Sequence, residues 1–174
     1  DLLEEGYGIN LLPLATFAMK QYADDPCERF IQKNLTQQSE NNDIENQLTR
    51  KMHKAISIIR FKLEGQLVEK YPEFHMDDRK VFDLIDWEKN TILIDGTEHP
   101  LLDCNFPTVD REDPYTLTKD EKEVMSRLST SFLHSEILQR HMKLLLKKGS
   151  MYKVYNGNLL FHGCVPMNED GSFR

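Results

Sequence analysis

The stretch YNGNLLFHGCVPM, from Tyr155 to Met167, ends an apolar run in a histidine set directly before a glycine. An imidazole placed there can ligate a metal, move a proton, or simply finish a strand. Asn156-Gly157 is a hairpin-turn dipeptide, so the run after it is predicted to be a strand that delivers His162 into a loop. Strand ends that open into loops are where α/β enzymes present functional groups. A histidine that completes the packing of the strand fits the same residues. Spacing alone leaves the two readings even.

The other candidates are weaker. His134 and His141 are seven residues apart, which on one helix separates them by about 10 Å along the axis, too far to share an ion. His53 flanks an apolar stripe, while His75 and His99 fall in turns, so these five read as surface or capping histidines. Cys164 follows His162 by two, on the same face of a strand, but nothing near it supplies further metal ligands. A cysteine phosphatase would need an arginine six residues beyond the cysteine, where Asp170 stands. Cys164 reads as a packing residue. Neither G-x-x-x-x-G-K-[ST] nor G-x-G-x-x-G occurs, and EGYGIN (5–10) reads as a turn. Arg60 and Lys62, in RFKLEGQ, set two cations beside a helical stripe. A solvated face is the plainer reading of that pair, and contact with a substrate phosphate is the alternative.

Elements to position these groups follow from the apolar spacing. Asn10–Tyr22 is predicted to be a helix through Leu11, Leu14, Ala15, Ala18 and Met19. A second is predicted over Asp24–Leu35, with Asp25 as N-cap and Pro26 first in the helix. After the polar segment Gln37–Gln47, Asp43–Lys70 reads as one long amphipathic helix. Its stripe would be Ile44, Leu48, Met52, Ile56, Ile59, Leu63 and Leu67, with Gly65 a weak point. Pro72 ends it. Residues 81–102 alternate as a small hairpin or meander turning at Asp95-Gly96, and 103–118 form a proline- and acid-rich loop. Thr118 and Glu121 stand in capping-box register for a helix expected to break near Ser129–Ser131. A further helix then runs to Gly149 as C-cap, before the closing hairpin.

The totals narrow the class of function. A chain of 174 residues buries enough surface to fold without disulfide or metal staples. Twenty-two basic against twenty-nine acidic residues, a net charge of −7, disfavour nucleic-acid binding but allow a small phosphorylated substrate. Three scattered cysteines with no C-x-x-C fit a reduced, cytoplasmic protein. No apolar run approaches the roughly 20 residues of a membrane span, and the acidic start reads as no signal peptide. The chain opens on Asp1 and stops at NEDGSFR, and both ends read as cut from something larger.

YNGNLLFHGCVPM resembles the calcineurin-like metallophosphatases, in which a strand ends in His-Gly. Four longer strings, LLEEGYGINLLPLATFAMKQY, IIRFKLEGQLVEKYPEF, LDCNFPTVDREDPYTLTKDE and KGSMYKVYNGNLLFHGCVPM, resemble class III fructose-1,6-bisphosphatase, the bacterial type. The resemblance implies a gluconeogenic hydrolase that removes the 1-phosphate of fructose 1,6-bisphosphate with a divalent metal, typically manganese. Two such ions would activate water and stabilise both oxygens of the displacement. It also implies that His162 ligates one of them. The superfamily's other ligand motifs, G-D-x-H-G, G-D-x-x-D-R-G and G-N-H, do not occur here, since Gly157-Asn158 is followed by leucine.

The expected fold is α+β, mainly α-helical with two small β-hairpins, a fragment of a calcineurin-like metallophosphatase. Residues 1–149 would form a largely helical insert, with a small hairpin near 81–102. Residues 150–174 would form a hairpin re-entering the metallophosphatase core. With one expected ligand, the fragment alone should be inactive and hold no metal. Two other readings are a non-catalytic regulatory or oligomerisation module, homo-oligomer included, and a free-standing helical binding protein.

Overall fold

A computed structural model describes residues 2–30, 43–163 and 167–172. After a π-helical turn at Leu2–Gly6 come four helices: α1 (Leu12–Gln21), α2 (Asp43–Lys70), α3 (Lys119–His134) and α4 (Glu136–Lys148). Between α2 and α3 lie three 3-10 turns and a three-stranded antiparallel meander of β1 (Ile85–Asp86), β2 (Thr91–Ile94) and β3 (Thr97–Pro100). After α4, β4 (Tyr152–Tyr155) and β5 (Asn158–Phe161) form a hairpin. The α+β class, mainly helical with small antiparallel sheets, is as the sequence predicted.

α1 packs against both α2 and α3, and side chains of all three make the main core. Leu14, Phe17 and Ala18 come from α1, Ala55 and Ile59 from α2, and Val124 and Leu128 from α3, joined by Tyr22, Cys27 and Leu117. A second cluster lies on α2 at Ile58, where Phe82 and Tyr115 bury with Phe61, Trp87 and Phe106 around them. The Phe82 ring stands 5.6 Å from that of Tyr115 and 6.1 Å from that of Phe61, the latter edge-on. Such aromatic pairs add roughly 0.5–1.5 kcal/mol each beyond their buried area.

α2 keeps its predicted bounds but turns a different face inward. Its fully buried line runs Lys51, Lys54, Ala55, Ile58, Ile59, Lys62, Gly65 and Val68. Met52, Ile56 and Leu63 are only partly buried at the edge of that line, and Leu67 is 49% exposed. The stripe's first residue, Ile44, lies outside the side chains described. Gly65 is no weak point. A Cβ there would meet Tyr115 Cδ1 at 2.1 Å, so the missing side chain is what lets the tyrosine ring lie on the helix.

The predicted second helix is not seen over Asp24–Phe30, and 31–35 lie outside the described residues, as does most of the polar segment 37–47. Asp25 does accept from the Cys27 backbone N–H at 2.8 Å, as a cap would. Cys27, however, takes φ 49°, which ends a right-handed helix before it starts, and only a 3-10 turn at Glu28–Phe30 follows. The break between α3 and α4 falls at Ser135 rather than Ser129–Ser131. Thr130 Oγ1 bonds back to the Ser126 carbonyl within the helix at 2.9 Å, and Ser131 Oγ accepts from the Asn10 N–H at 2.9 Å. Those hydroxyls are satisfied with α3 intact. Ser135 instead donates to the Tyr7 carbonyl at 2.6 Å and caps Leu138 N–H. Gly149 closes α4 with its N–H on the Leu145 carbonyl, at φ −73° rather than in a left-handed cap.

Candidate functional site

His162 stands where the sequence placed it, immediately after β5. Asn156 and Gly157 take φ 49° and 74°, the doubly positive turn that a two-residue hairpin demands. The register pairs Tyr152 with Phe161 and Val154 with Leu159. Gly163, at φ 92°, bends the chain directly after the histidine, a conformation that any residue with a Cβ resists. His162 is exposed, as are all eight residues of the two strands. Cys164 lies outside the described residues.

Among the described residues no three histidine, cysteine, aspartate or glutamate side chains converge as a metal site. The donors around His162 among the described residues therefore do not by themselves fit a two-ion centre. His53, His75, His99, His134 and His141 are dispersed through the fold; His134 Nδ1 lies 2.8 Å from the Thr130 carbonyl, and His141 meets the Tyr7 ring edge-on.

Arg60 and Lys62 are not a pair of surface cations. Arg60 is exposed on α2, with Glu64 Oε2 at 3.5 Å one turn on. Lys62 is sealed inside, donating to Glu121 Oε2 at 2.9 Å and to the Thr108 carbonyl. Both partners of that ion pair are fully buried, so Lys62 has no face left for a substrate phosphate. Glu121 Oε2 also accepts from Thr118 N–H at 2.7 Å, while Thr118 Oγ1 accepts from Glu121 N–H, completing the predicted capping box. One carboxylate thus starts α3 and neutralises α2.

Two more lysines go inward. Lys51 donates to the Ala23 carbonyl at 2.6 Å. Lys54, with no exposed surface, donates to Asp25 Oδ2 and Asp103 Oδ1, each at 2.6 Å. The rings of Tyr22, Phe30 and Phe106 surround its ammonium at 5.3–5.8 Å. Partial burial works to raise the Asp25 carboxyl, but Lys54, the Cys27 N–H and the Asn105 amide outweigh it and hold it below the ordinary carboxylate range. Burial pushes the neighbouring Cys27 thiol up to about 12, which makes it an inert packing group. The Tyr22 hydroxyl lies beside Thr108 and Glu121, yet Tyr22 Oη, Thr108 Oγ1 and Glu121 Oε1 find no hydrogen-bond partner among the described residues. Sequence reasoning missed Lys51 and Lys54, and read Lys62 as a solvated-face cation or a phosphate contact rather than a buried one. The available signal was their spacing, since 51, 54, 58, 62 and 65 share one helix face.

An open cleft of about 380 Å³ lies between α1 and α3. Its cations are already engaged, Lys20 with Asp120 at 2.7 Å and Arg127 with Glu123 at 2.6 Å. It offers an anion little.

The structure is thus a helical bundle that extends, through α4, to a bare hairpin ending in His-Gly. The chain belongs to the family described as Firmicute fructose-1,6-bisphosphatase, whose sequence model matches residues 1–174. It is 55% identical over 174 residues to fructose-1,6-bisphosphatase class 3 of Clostridium novyi (strain NT), covering all of this chain and 26% of that protein. The enzyme of the same name from Clostridium tetani (strain Massachusetts / E88) is 54% identical over 172 residues, 99% of this chain and 26% of that protein. One from Bacteroides fragilis (strain YCH46) is 52% identical over 172 residues, with the same coverage. The chain therefore spans about a quarter of the length of the curated relatives it matches. No solved structure matches it. Among the described residues no helix is long and apolar enough to cross a membrane.

Proposed function

We propose that this segment belongs to a cytoplasmic fructose-1,6-bisphosphatase that hydrolyses the 1-phosphate of fructose 1,6-bisphosphate to give fructose 6-phosphate in gluconeogenesis. The observation that carries this is the match of the whole chain, at 55% identity, to a protein of that name. In this reading His162 supplies one ligand to a divalent metal, manganese by the family resemblance, and the remaining ligands come from elsewhere in the full-length protein. Its exposure at the end of β5, with Gly163 turning the chain away, suits a group that must meet partners from other elements. Residues 1–149 act as a largely helical insert and 150–174 as the strand pair that returns to the catalytic core. Arg60, exposed on α2, is the candidate contact for a substrate phosphate; Lys62 is structural.

The test uses the full-length protein with manganese. Wild type should release phosphate from fructose 1,6-bisphosphate, while His162→Ala should lose both turnover and bound metal by elemental analysis. The 174-residue chain alone should not turn over. Undiminished activity and metal content in His162→Ala would remove the ligand role and leave the segment as a regulatory or oligomerisation module. An Arg60→Ala variant should raise KM more than it lowers kcat.

A further inference from the structure

The bundle spends its apolar surface internally, and the end of the segment does not. Most of the exposed large apolar side chains among the described residues fall between Leu133 and Met167. α4 buries none of its residues, although its sequence is plainly two-faced. Leu138, Met142 and Leu145 recur at four and three residues, and Ile137 and Leu144, seven apart, widen the same face, while Glu136, Arg140, Lys143 and Lys147 hold the opposite side. Ser135 and the His141 ring tie the start of α4 to Tyr7. Beyond that anchor Leu144 and Leu145 stand 57% and 61% exposed.

The hairpin repeats the pattern. Cross-strand partners share a face, so Tyr152, Val154, Leu159 and Phe161 make one apolar side, each about half exposed or more. A lone two-stranded hairpin is at best marginally stable in water, and apolar surface on this scale marks an interface.

We propose that the α4 stripe and this hairpin face are docking surfaces for the remainder of the same polypeptide, so that α4 belongs with the hairpin rather than with the helical bundle. This rests on the reading that the segment is part of a longer fructose-bisphosphatase. The occupant is argued from length, because about three quarters of each matched relative lies outside the region this chain covers. It is argued also from position, because the surface leads directly into His162, which that reading places at the metal centre. A second copy is the competing occupant, and the oligomeric state read below distinguishes it. Docked, α4 acts as a strut that fixes the His162 end relative to the bundle.

The experiment compares full-length wild type, Leu144→Glu/Leu145→Glu, the milder Leu145→Ala, and Lys143→Glu/Lys147→Glu as a charge control on the opposite face. Hydrogen exchange, metal content and oligomeric state are read together. In wild type the amides of 137–161 should be protected, and in the double glutamate variant their protection should fall at least about tenfold with loss of metal, while α1–α3 stay protected. Leu145→Ala should show the same loss in smaller measure, and the charge control none. Unprotected 137–161 amides in wild type would overturn the proposal even if the glutamate variant fails to fold. So would a glutamate variant that keeps protection and metal, or one that merely converts an oligomer to protected, metal-loaded monomers. Protected 137–161 amides in a wild type with no bisphosphatase activity would sink the functional reading and leave the docking intact.

Discussion

α2 and α4 are both amphipathic helices rich in lysine, and they treat their charges and leucines in opposite ways. α2 carries Lys51, Lys54 and Lys62 into the protein and leaves Leu67 half in water. α4 keeps Lys143, Lys147 and Lys148 outside, and exposes Leu144 and Leu145 as well. The difference lies in what each helix has to meet. Around α2 the loops at 23–25, 103 and 108 and the start of α3 supply carbonyls and carboxylates, so a long ammonium stem can be buried with its head satisfied. Beyond the Tyr7 anchor at its start, nothing among the described residues buries the apolar stripe of α4. An amphipathic pattern says that a face is fit for burial, and the partner decides which residues are buried.

The largest effect that would break this contrast is at the Lys62–Glu121 pair. Lys62→Met strands a buried carboxylate and should cost about 3–5 kcal/mol in denaturant unfolding, with Lys62→Met/Glu121→Gln recovering most of it because glutamine preserves the cap. A single variant that costs under about 1 kcal/mol would mean that the pair is not what closes α3 onto α2.

Gly65→Ala comes next. Helix propensity favours alanine by about 1 kcal/mol, but the Tyr115 ring occupies the space, and overpacking of this kind costs about 1–3 kcal/mol. The net change should be destabilising, and it should turn stabilising in a Tyr115→Leu background. A stabilising Gly65→Ala in the wild-type background would show that the ring does not rest on the helix.

A smaller, pH-dependent effect belongs to Asp25. Its folded carboxyl is held below the unfolded value of about 3.9, so its contribution is complete above that pH and is lost as pH falls through the lower folded value. Asp25→Asn should lower stability at neutral pH and flatten the acid side of the stability curve, as followed by urea midpoints between pH 2 and pH 7 (about the range in which carboxylates titrate). An unchanged acid limb would remove the Lys54 cluster as its origin.

What was legible in the sequence was whatever short-range chemistry decides. Thr118 and Glu121 cap α3 reciprocally, Asn156-Gly157 turns the last hairpin, and α2 runs from Asp43 to Lys70, all as predicted. What was not legible depended on distant partners. Lys62 reads as a solvated-face cation or a phosphate contact, and Lys54 draws no notice, until Asp25, Asp103, Thr108 and Glu121 are seen to converge on them. The bend at Ser135 depends on a carbonyl 128 residues away, at Tyr7. Cys27 in a left-handed conformation defeated a helix start that Asp25-Pro26 otherwise signals. His162 was recognisable by its position at a strand end, but one imidazole defines no site, and the ligand role proposed for it rests on kinship rather than on geometry.

The most direct test of the contrast between the two regions is hydrogen exchange on the 174-residue chain by itself and within the full-length protein. The prediction is that α1–α3 amides are protected in both, while α4 and the β4–β5 hairpin are protected only in the full-length protein. Strong protection of α4 and the hairpin in the isolated chain, or its absence in the full-length protein, would contradict it.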